Sequence, residues 1–176
     1  MRRLSLFPAV LLTLALATAP TAMAATSGTA TVTLAASAQV MIQILDAAVT
    51  LTPAAADYDV DYVEATGVAG LDVRVKTNSS GGMMLKVKCA DAAPQIALAD
   101  LLIKTPTAPG GAGTSMSLYT SVSAADQDLW TTTTTQNPWQ TVTTDIRIQN
   151  LSGYPDAAGG GTTAYTNTLT YTVVAQ

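Results

Sequence analysis

The feature that most constrains the fold is a strict alternation of threonine with bulkier side chains. In the segment YTNTLTYTVV, residues 165–174, threonine fills every second position up to Thr172, and residues such as Leu169 and Val173 stand between. Successive side chains of a β-strand point to opposite faces of a sheet, so the segment predicts a strand with one apolar face and one threonine face. Such a strand is typically buried on one side only.

The same period of two recurs in short segments along the chain. Residues 71–76 and 85–89 alternate most clearly, and TNSSGG (residues 77–82) joins them. Asparagine, serine and glycine supply the positive-φ positions of a short connection, so a hairpin is predicted here. Further strands are predicted at residues 29–34 and 40–44 (one strand with a break, or two short ones), 95–105 (with a helical turn as the alternative), 116–119, 130–135, 142–148 and 165–174.

Composition places these strands in an all-β protein. Charged residues make up only 11% of the chain, and lysine and glutamate, which usually fill exposed helix faces, are scarce. Strands do not alternate with helical segments, so a parallel α/β sheet is not expected. We predict one domain, residues 25–176, folded as an immunoglobulin-like antiparallel β-sandwich of about seven to nine strands. The expected core residues are Leu71, Val73, Val75, Leu85, Val87, Ile146, Ile148, Leu169, Tyr171 and Val173.

Residues 1–24 have the pattern of a cleaved secretory signal. A basic start, MRR, precedes the apolar run Leu4–Ala17, and Ala22-Met23-Ala24 has the small–x–small form of a cleavage site. The run is shorter than the roughly 20 residues that cross a bilayer. We therefore expect a secreted protein, periplasmic or at the cell surface, with no membrane span after cleavage. An uncleaved anchor is the alternative interpretation.

Charge and cysteine content narrow the choice of partners. Without Arg2 and Arg3 the chain keeps six basic residues against twelve acidic ones, a net charge of −6. Nucleic-acid binding depends on basic residues that neutralise phosphates, so no nucleic-acid partner is expected. Cys89 is the single cysteine. It falls on the inward side of a predicted strand and is expected to be buried, with an interchain disulfide as the alternative.

The residue types present exclude several kinds of catalytic and metal site. The chain has no histidine, which rules out serine–histidine–aspartate triads and histidine-ligated metals. One cysteine cannot form a thiolate zinc site, and no phosphate-binding or nucleophile-elbow motif occurs in its required context. A carboxylate pair for glycoside hydrolysis has no fixed spacing and stays open. We expect no enzymatic activity, no catalytic residue, no cofactor and no metal ligand.

Three aspartates alternate in the segment DYDVDY: Asp57, Asp59 and Asp61. Their spacing matches the first ligands of a calcium loop, but the EF-hand pattern needs glycine and glutamate where Tyr62 and Val68 stand. A looser calcium site is one interpretation. The favoured interpretation is an acidic, solvated strand edge that discourages edge-to-edge pairing of sheets.

Two further sets of side chains are candidate contacts for a partner or a glycan. Arg74, Lys76, Lys86 and Lys88 fall on the outward face of the predicted hairpin, where Arg74 would lie opposite Lys86. Such a strip could bind an anionic polysaccharide or an acidic neighbouring subunit, and a solvated sheet face is the simpler interpretation. The second set consists of the two tryptophans, Trp130 and Trp139. An exposed tryptophan can stack on a sugar ring, although burial in the core is commoner for tryptophan in a small sandwich.

Four segments of the chain resemble secreted, pilin-like β-sandwich proteins of the spore coat protein U type. They are ATVTLAASAQVMIQI, LDVRVKTNSSGGMMLKV, MSLYTSVSAADQDLW and AYTNTLTYTV. The resemblance implies a non-enzymatic structural or adhesive subunit of a cell surface or pilus-like fibre. Its partners would be other copies of itself or related surface subunits. Members of the family usually carry cysteines in their early strands, whereas this chain has only Cys89.

The resemblance also implies an open groove beside the terminal strand, filled by an extended segment of another subunit. The segment Gly28–Leu34 has the alternation that such an insert needs, with Ala30, Val32 and Leu34 on its apolar face. Pairing of this segment within its own domain is the alternative. A glycan- or cell-wall-binding module is the alternative function.

Overall fold

The computed structural model describes residues 31–155 and 162–176, so the predicted signal segment and Ala30 lie outside the described residues. The described part contains ten strands in two antiparallel sheets and one short α-helix, which confirms the predicted all-β sandwich. The count exceeds seven to nine because two strands, Thr114–Ser115 and Thr120–Ser121, have only two residues each. Among these residues no helix is long and apolar enough to cross a membrane.

The first sheet has six strands and the second has four, and all of them lie in the compact unit Ala36–Gln176. The first sheet has the order β1 (Val40–Ile44), β3 (Leu71–Thr77), β9 (Gln136–Gln149), β5 (Leu101–Lys104) and β7 (Thr120–Ser121), with β2 (Tyr62–Ala65) also paired to β9. The second has the order β10 (Leu169–Ala175), β4 (Met83–Cys89), β8 (Gln127–Thr132) and β6 (Thr114–Ser115). The helix, α1 (Ala55–Val60), precedes β2.

The core lies between the sheets and follows the period of two. Burial alternates along the whole of β3 and β4, with every odd-numbered side chain buried. The core also contains Trp130 and Cys89, as expected for Cys89. Six predicted core residues are buried: Leu71, Val73, Val75, Leu85, Val87 and Ile146. Four others pack against the core but are only partly buried: Ile148, Leu169, Tyr171 and Val173.

The predicted hairpin between residues 71–76 and 85–89 is wrong, although both segments are strands. β3 pairs with β1 and β9 in the first sheet, whereas β4 pairs with β8 and β10 in the second. The connection at residues 78–82 is therefore an arch that carries the chain from one sheet to the other. A hairpin and an arch both join period-two strands through asparagine and glycine, so the sequence pattern alone does not separate them.

Close backbone contacts hold this arch. Ser79 is buried, and its hydroxyl donates to the carbonyl oxygen of Gln176 at 2.5 Å. A Cβ on Gly81 would lie 2.4 Å from that same carbonyl oxygen, and a Cβ on Gly82 would lie 1.9 Å from the carbonyl oxygen of Thr132. Gly82 also has a φ of +84°, which favours glycine. The two glycines therefore allow other backbone segments to approach the arch closely.

Five further strand predictions differ from the structure. The strand predicted at residues 130–135 lies at residues 127–132 (β8), and the strand predicted at residues 165–174 begins only at Leu169 (β10). The strand predicted at residues 95–105 is limited to β5, because a turn precedes it in which the amide of Asp100 donates to the carbonyl of Ala97 at 2.9 Å. The strand predicted at residues 116–119 is replaced by the short β6 and β7 on either side of it. In the region predicted to hold strands from residue 29 to 44, residues 31–39 belong to no strand and β1 begins at Val40.

The predicted acidic strand edge is also wrong, because DYDVDY contributes to helix α1. The side chain of Asp57 accepts a hydrogen bond from the amide of Ala54 at 2.7 Å, which caps the first turn. Asp61 adopts the left-handed conformation (φ +60°) that ends the helix. Local capping by aspartate side chains and backbone thus overrides the period-two pattern.

Replacing Gly82 by alanine is expected to destabilise the protein more than the same change at Gly111. Both glycines have positive φ, so each substitution strains the backbone by about 1–2 kcal/mol. A Cβ at Gly111 meets open space, whereas a Cβ at Gly82 meets the Thr132 carbonyl. Urea denaturation followed by tryptophan fluorescence gives both free energies of unfolding. Equal losses for the two variants would contradict the arch geometry.

Candidate functional site

The two sheets have neighbouring edges whose inward side chains are incompletely covered. β1 is an edge strand of the first sheet and lies beside β10, an edge strand of the second. The inward side chains of β3 and β4 are all buried. Those of β1 and β10 pack against the same core but keep part of their surface exposed. We call this group the edge seam; it consists of Val40, Ile42, Leu169, Tyr171 and Val173.

The backbone of β10 is unpaired along one side. Its register with β4 runs from Leu169 opposite Cys89 to Ala175 opposite Met83, and no described residue pairs with its other side. β1 pairs only with β3 in the described part of the chain. Free N–H and C=O groups on an edge strand can bind another strand. The edge seam therefore combines free backbone groups with partly exposed apolar side chains.

Tyr171 is the polar member of the edge seam. Burial raises the pKa of its hydroxyl to about 12, and an interaction with the hydroxyl of Thr144 partly opposes this rise. The geometry of that pair falls outside the range of a hydrogen bond, so both buried hydroxyls lack a well-formed partner among the described residues. The ring of Tyr171 thus packs against the core, and its hydroxyl is not ionised near neutral pH.

The segment predicted as an insert is only partly described. Ala30 lies outside the described residues, whereas Val32 and Leu34 are 94% and 88% exposed. Two apolar side chains are thus exposed to water in one short segment. Burying each of them would contribute about 1.5–3 kcal/mol. These two side chains therefore have surface available for a partner.

The structure divides the predicted basic strip between the two sheets. Arg74 and Lys76 lie on β3 of the first sheet, and Lys86 and Lys88 lie on β4 of the second. The two lysines of β4 form ion pairs with aspartates at or next to β8, at 2.5 and 3.6 Å. The predicted position of Arg74 opposite Lys86 is therefore wrong, because the arch sends the two strands to different sheets.

The two tryptophans occupy opposite environments. Trp130 is 0% exposed, and its indole nitrogen donates to the carbonyl of Ala112 at 2.8 Å, so this side chain is a core residue with no surface for a sugar. Trp139 is half-buried. The cationic groups of Arg74 and Lys76 lie 5.0 and 4.9 Å from the centroid of its ring. Three predicted contact residues therefore meet on one face; we call Arg74, Lys76 and Trp139 the Trp139 patch.

Two surface cavities border the first sheet. The smaller, about 170 Å³, adjoins the Trp139 patch and is lined by Gln39, Met41, Lys76, Thr77, Asn78 and Asn137. The larger, about 400 Å³, is lined by residues 106–111 with Gly67, Thr141 and Thr143. None of the described side chains that line the larger cavity carries a charge, so they offer no acid, base or ionic contact. The smaller cavity is the one that joins a cation to polar amides.

A second charged cluster, which sequence reasoning did not find, lies around Glu64. Its carboxylate accepts from Arg147 Nη2 at 2.8 Å and from the hydroxyl of Tyr119 at 2.5 Å. The guanidinium of Arg147 also lies 4.1 Å from the ring centroid of Tyr119 and 4.3 Å from that of Tyr62. These contacts join β2 and β9 to the chain before β7. No local sequence pattern brings these residues together, because they come from segments far apart in the chain.

The contacts of Glu64 set its protonation. Burial raises the pKa of its carboxyl, but the hydrogen bonds from Tyr119 and Arg147 and the charges of Arg147 and Lys104 outweigh burial, and the pKa lies below its ordinary value of 4.5. Burial and the hydrogen bond to Glu64 raise the pKa of Tyr119 well above its usual range. Both carboxylate oxygens of Glu64 have protein donors, so the cluster holds strands together and has no free base.

The aspartates of DYDVDY do not gather into a metal site. Asp57 caps helix α1, and the carboxylate of Asp61 accepts from the amide of Ser152 at 3.4 Å. In residues 31–155 and 162–176, no group of three or more cysteine or acidic side chains is arranged to hold a metal ion. The carboxylate of Asp57 thus has a local capping role, and the carboxylate of Asp61 accepts a hydrogen bond from a distant segment of the chain.

Comparison of the chain with protein-family models, curated proteins and solved structures gives no match.

Replacing Glu64 by glutamine is expected to lower the free energy of unfolding by about 1–2 kcal/mol at neutral pH, because two charge-assisted hydrogen bonds are weakened. A carboxyl whose pKa is lowered by folding contributes stability above its unfolded pKa and loses it as pH falls through the folded pKa. The difference between wild type and Glu64→Gln should therefore shrink below about pH 4.5.

The matched control is Asp126→Asn, which removes a carboxylate from an exposed ion pair with Lys88. Exposed pairs contribute at most about 1 kcal/mol, so this variant should lose less stability at neutral pH. Urea denaturation of all three proteins at several pH values measures these differences. A loss for Glu64→Gln that stays constant from neutral to acid pH would contradict the assigned role of the carboxylate.

Proposed function

We propose that the protein is a secreted, non-enzymatic structural or adhesive subunit of a cell surface or pilus-like fibre, joined to other copies of itself by strand addition. The observation that carries this proposal is the edge seam, where unpaired backbone and partly exposed core side chains occur together. Strand addition satisfies both at once: main-chain hydrogen bonds extend the sheet, and alternate side chains of the insert cover the core.

The segment Gly28–Leu34 of a neighbouring copy has the properties of the insert. It spans seven residues, the same number as β10. Since each residue of a strand advances about 3.3 Å, the two can pair over their full lengths. Ala30, Val32 and Leu34 would face the core, and the threonines between them would face water. The modest size of these apolar side chains suits an edge whose core is already largely filled.

The expected gain in stability comes mainly from two side chains. Burying Val32 and Leu34 contributes about 1.5–3 kcal/mol each. The backbone ladder adds to this, because each new hydrogen bond contributes about 0.5–1.5 kcal/mol net. Against this stands the entropy of ordering the segment, about 1–2 kcal/mol per residue. A productive insertion therefore needs both the ladder and the apolar contacts, and loss of either should abolish it.

The resemblance to pilin-like sandwiches of the spore coat protein U type supports the same proposal. The secretory signal predicted at residues 1–24 would direct such a subunit out of the cytoplasm, as this role requires. The sequence carries no motif for catalysis, which agrees with a structural or adhesive role. A second candidate function, recognition of glycan or cell wall, is favoured by the Trp139 patch, whose two cations have no ion-pair partner among the described residues.

A truncated chain that starts at Ser37 tests strand addition. If the segment acts in a neighbour, the mature protein should form oligomers that light scattering detects, and the truncated chain should remain a folded monomer. The reason is that truncation removes the insert but leaves the acceptor edge intact. An unfolded truncated chain would mean that the segment pairs within its own sheet. A mature chain that stays monomeric at every concentration would also contradict the proposal.

A synthetic peptide of residues 25–36 sharpens this test. Added to the truncated chain, it should raise the midpoint of thermal unfolding, because it fills the edge seam. A peptide with Val32→Asn and Leu34→Asn should have no effect, since its core-facing side chains are polar. The matched control carries Thr31→Ser and Thr33→Ser on the water-facing side and should keep most of the effect. Equal stabilisation by all three peptides would exclude an insertion in which Val32 and Leu34 face the core.

A further inference from the structure

We propose that the Trp139 patch binds an anionic polysaccharide through the carboxylate or sulfate groups of its sugars. The patch lies on the outward face of the first sheet, because Arg74 and Lys76 alternate with the buried residues of β3. It is separate from the edge seam, whose residues face the core. The two proposals can therefore fail independently.

Within the described part of the chain, the cations of the Trp139 patch differ from the other basic residues in having no acidic partner. Among the described residues, four basic side chains form ion pairs with aspartate or glutamate: Lys86, Lys88, Lys104 and Arg147. Arg74 and Lys76 form none. In a protein whose acidic residues outnumber its basic ones, two neighbouring unpaired cations form a local site for an anion.

The guanidinium of Arg74 is held in place by one hydrogen bond, and its two terminal nitrogens donate to no described residue. The Nε of Arg74 donates to Gln43 Oε1 at 2.9 Å, and the guanidinium lies over the ring of Trp139. A guanidinium fork binds a planar carboxylate through two parallel hydrogen bonds, and it also binds the oxygens of a sulfate. Fixing the group beforehand reduces the entropy lost when a ligand binds.

Lys76 supplies the second charge next to a polar cavity. Its ammonium lies over the same indole ring and lines the cavity of about 170 Å³ together with Asn78 and Asn137. Drug-sized ligands occupy pockets of about 300–1,000 Å³. The smaller, open cavity suits one unit of a polymer that lies across the sheet. Met41, which is 50% exposed, borders the same cavity and offers an apolar contact to the carbon face of a sugar.

Trp139 acts as a positioning residue in this site. Because two cations already lie about 5 Å from its ring centroid, its role is to hold them in place by cation–π contact. A phenylalanine keeps an aromatic face, whereas an alanine removes it. Trp139→Phe should therefore retain most of the binding that Trp139→Ala loses.

The test uses the full mature protein and three immobilised polymers: a polyuronate, a sulfated dextran and an uncharged dextran. Wild type should bind one or both charged polymers and not the uncharged one, and binding should weaken as salt rises. Binding to the polyuronate alone identifies carboxylate as the ligand, and binding to the sulfated polymer alone identifies sulfate. The double variant Arg74→Ala/Lys76→Ala should lose at least tenfold in affinity.

The matched control is Lys86→Ala/Lys88→Ala, which changes the net charge by the same amount on the other sheet. This control should stay within about twofold of wild type, because its lysines are already paired with aspartates. Equal losses in both double variants would overturn the proposal, since binding would then follow net charge. If the alanine pair at 74 and 76 does not fold, Arg74→Gln/Lys76→Gln replaces it.

Other outcomes would also overturn the proposal. Absence of binding to either charged polymer at low salt excludes the ligand class. Salt-sensitive self-association that is lost in Arg74→Ala/Lys76→Ala, without polymer binding, assigns the Trp139 patch to an acidic protein partner instead. Strand addition is measured separately with the chain that starts at Ser37, so a failure at the patch leaves that result unaffected.

Discussion

The arch at residues 78–82 is the constraint on which the rest of the structure depends. Its backbone passes so close to Gln176 and Thr132 that only glycine fits at two successive positions. This close approach sends β3 and β4 into opposite sheets, so that their buried rows face each other across the core. A hairpin at the same place would have put both rows on one sheet. The core would then have needed a different set of strands to cover it.

The edge seam lies beside the two strands that the arch joins. β1 is next to β3 and β10 is next to β4; both are edge strands, and these two edges lie side by side. Neither sheet continues past this point in the described residues, so the inward side chains at the seam are covered from one direction only. An edge of this kind is a liability in a monomer, because it invites pairing with other chains. It is an advantage in a subunit that pairs with a specific neighbour.

The sequence predicted the strands well and their pairing poorly, for a physical reason. Alternation identifies which side chains of Leu71–Thr77 face the core, because that depends only on the backbone period. It does not specify the partner strand, since a hairpin and an arch use the same turn residues. The predicted basic strip assumed a hairpin. Because the connection is an arch, Arg74 and Lys86 lie on different sheets. Trp139 lies next to Arg74 because β3 pairs with the long strand β9, which places the two side chains on one face of the sheet.

The Glu64 cluster was beyond sequence reasoning for a related reason. Its members come from β2, β9 and the chain before β7, and only the completed sheet brings them within hydrogen-bond distance. The aspartates of DYDVDY gave a wrong prediction of a strand edge for a different reason. Asp57 and Asp61 have the spacing of a strand face, but their side chains and backbone form local hydrogen bonds that stabilise a helix end. Local capping competes with alternation whenever aspartate recurs at every second position.

The two proposed surfaces use different physical interactions and lie on different parts of the sandwich. The edge seam offers backbone hydrogen bonds and apolar area, which salt affects little. The Trp139 patch offers two positive charges on an outward face, neither of them ion-paired in the described part of the chain, and screening by salt weakens such contacts. Because the patch resides on the outward side of β3 while strand addition would occur beside β10, occupation of one leaves the other accessible. A polymer of such subunits would repeat the patch along its length, and repeated weak ionic contacts raise the overall affinity for a polyanion by avidity.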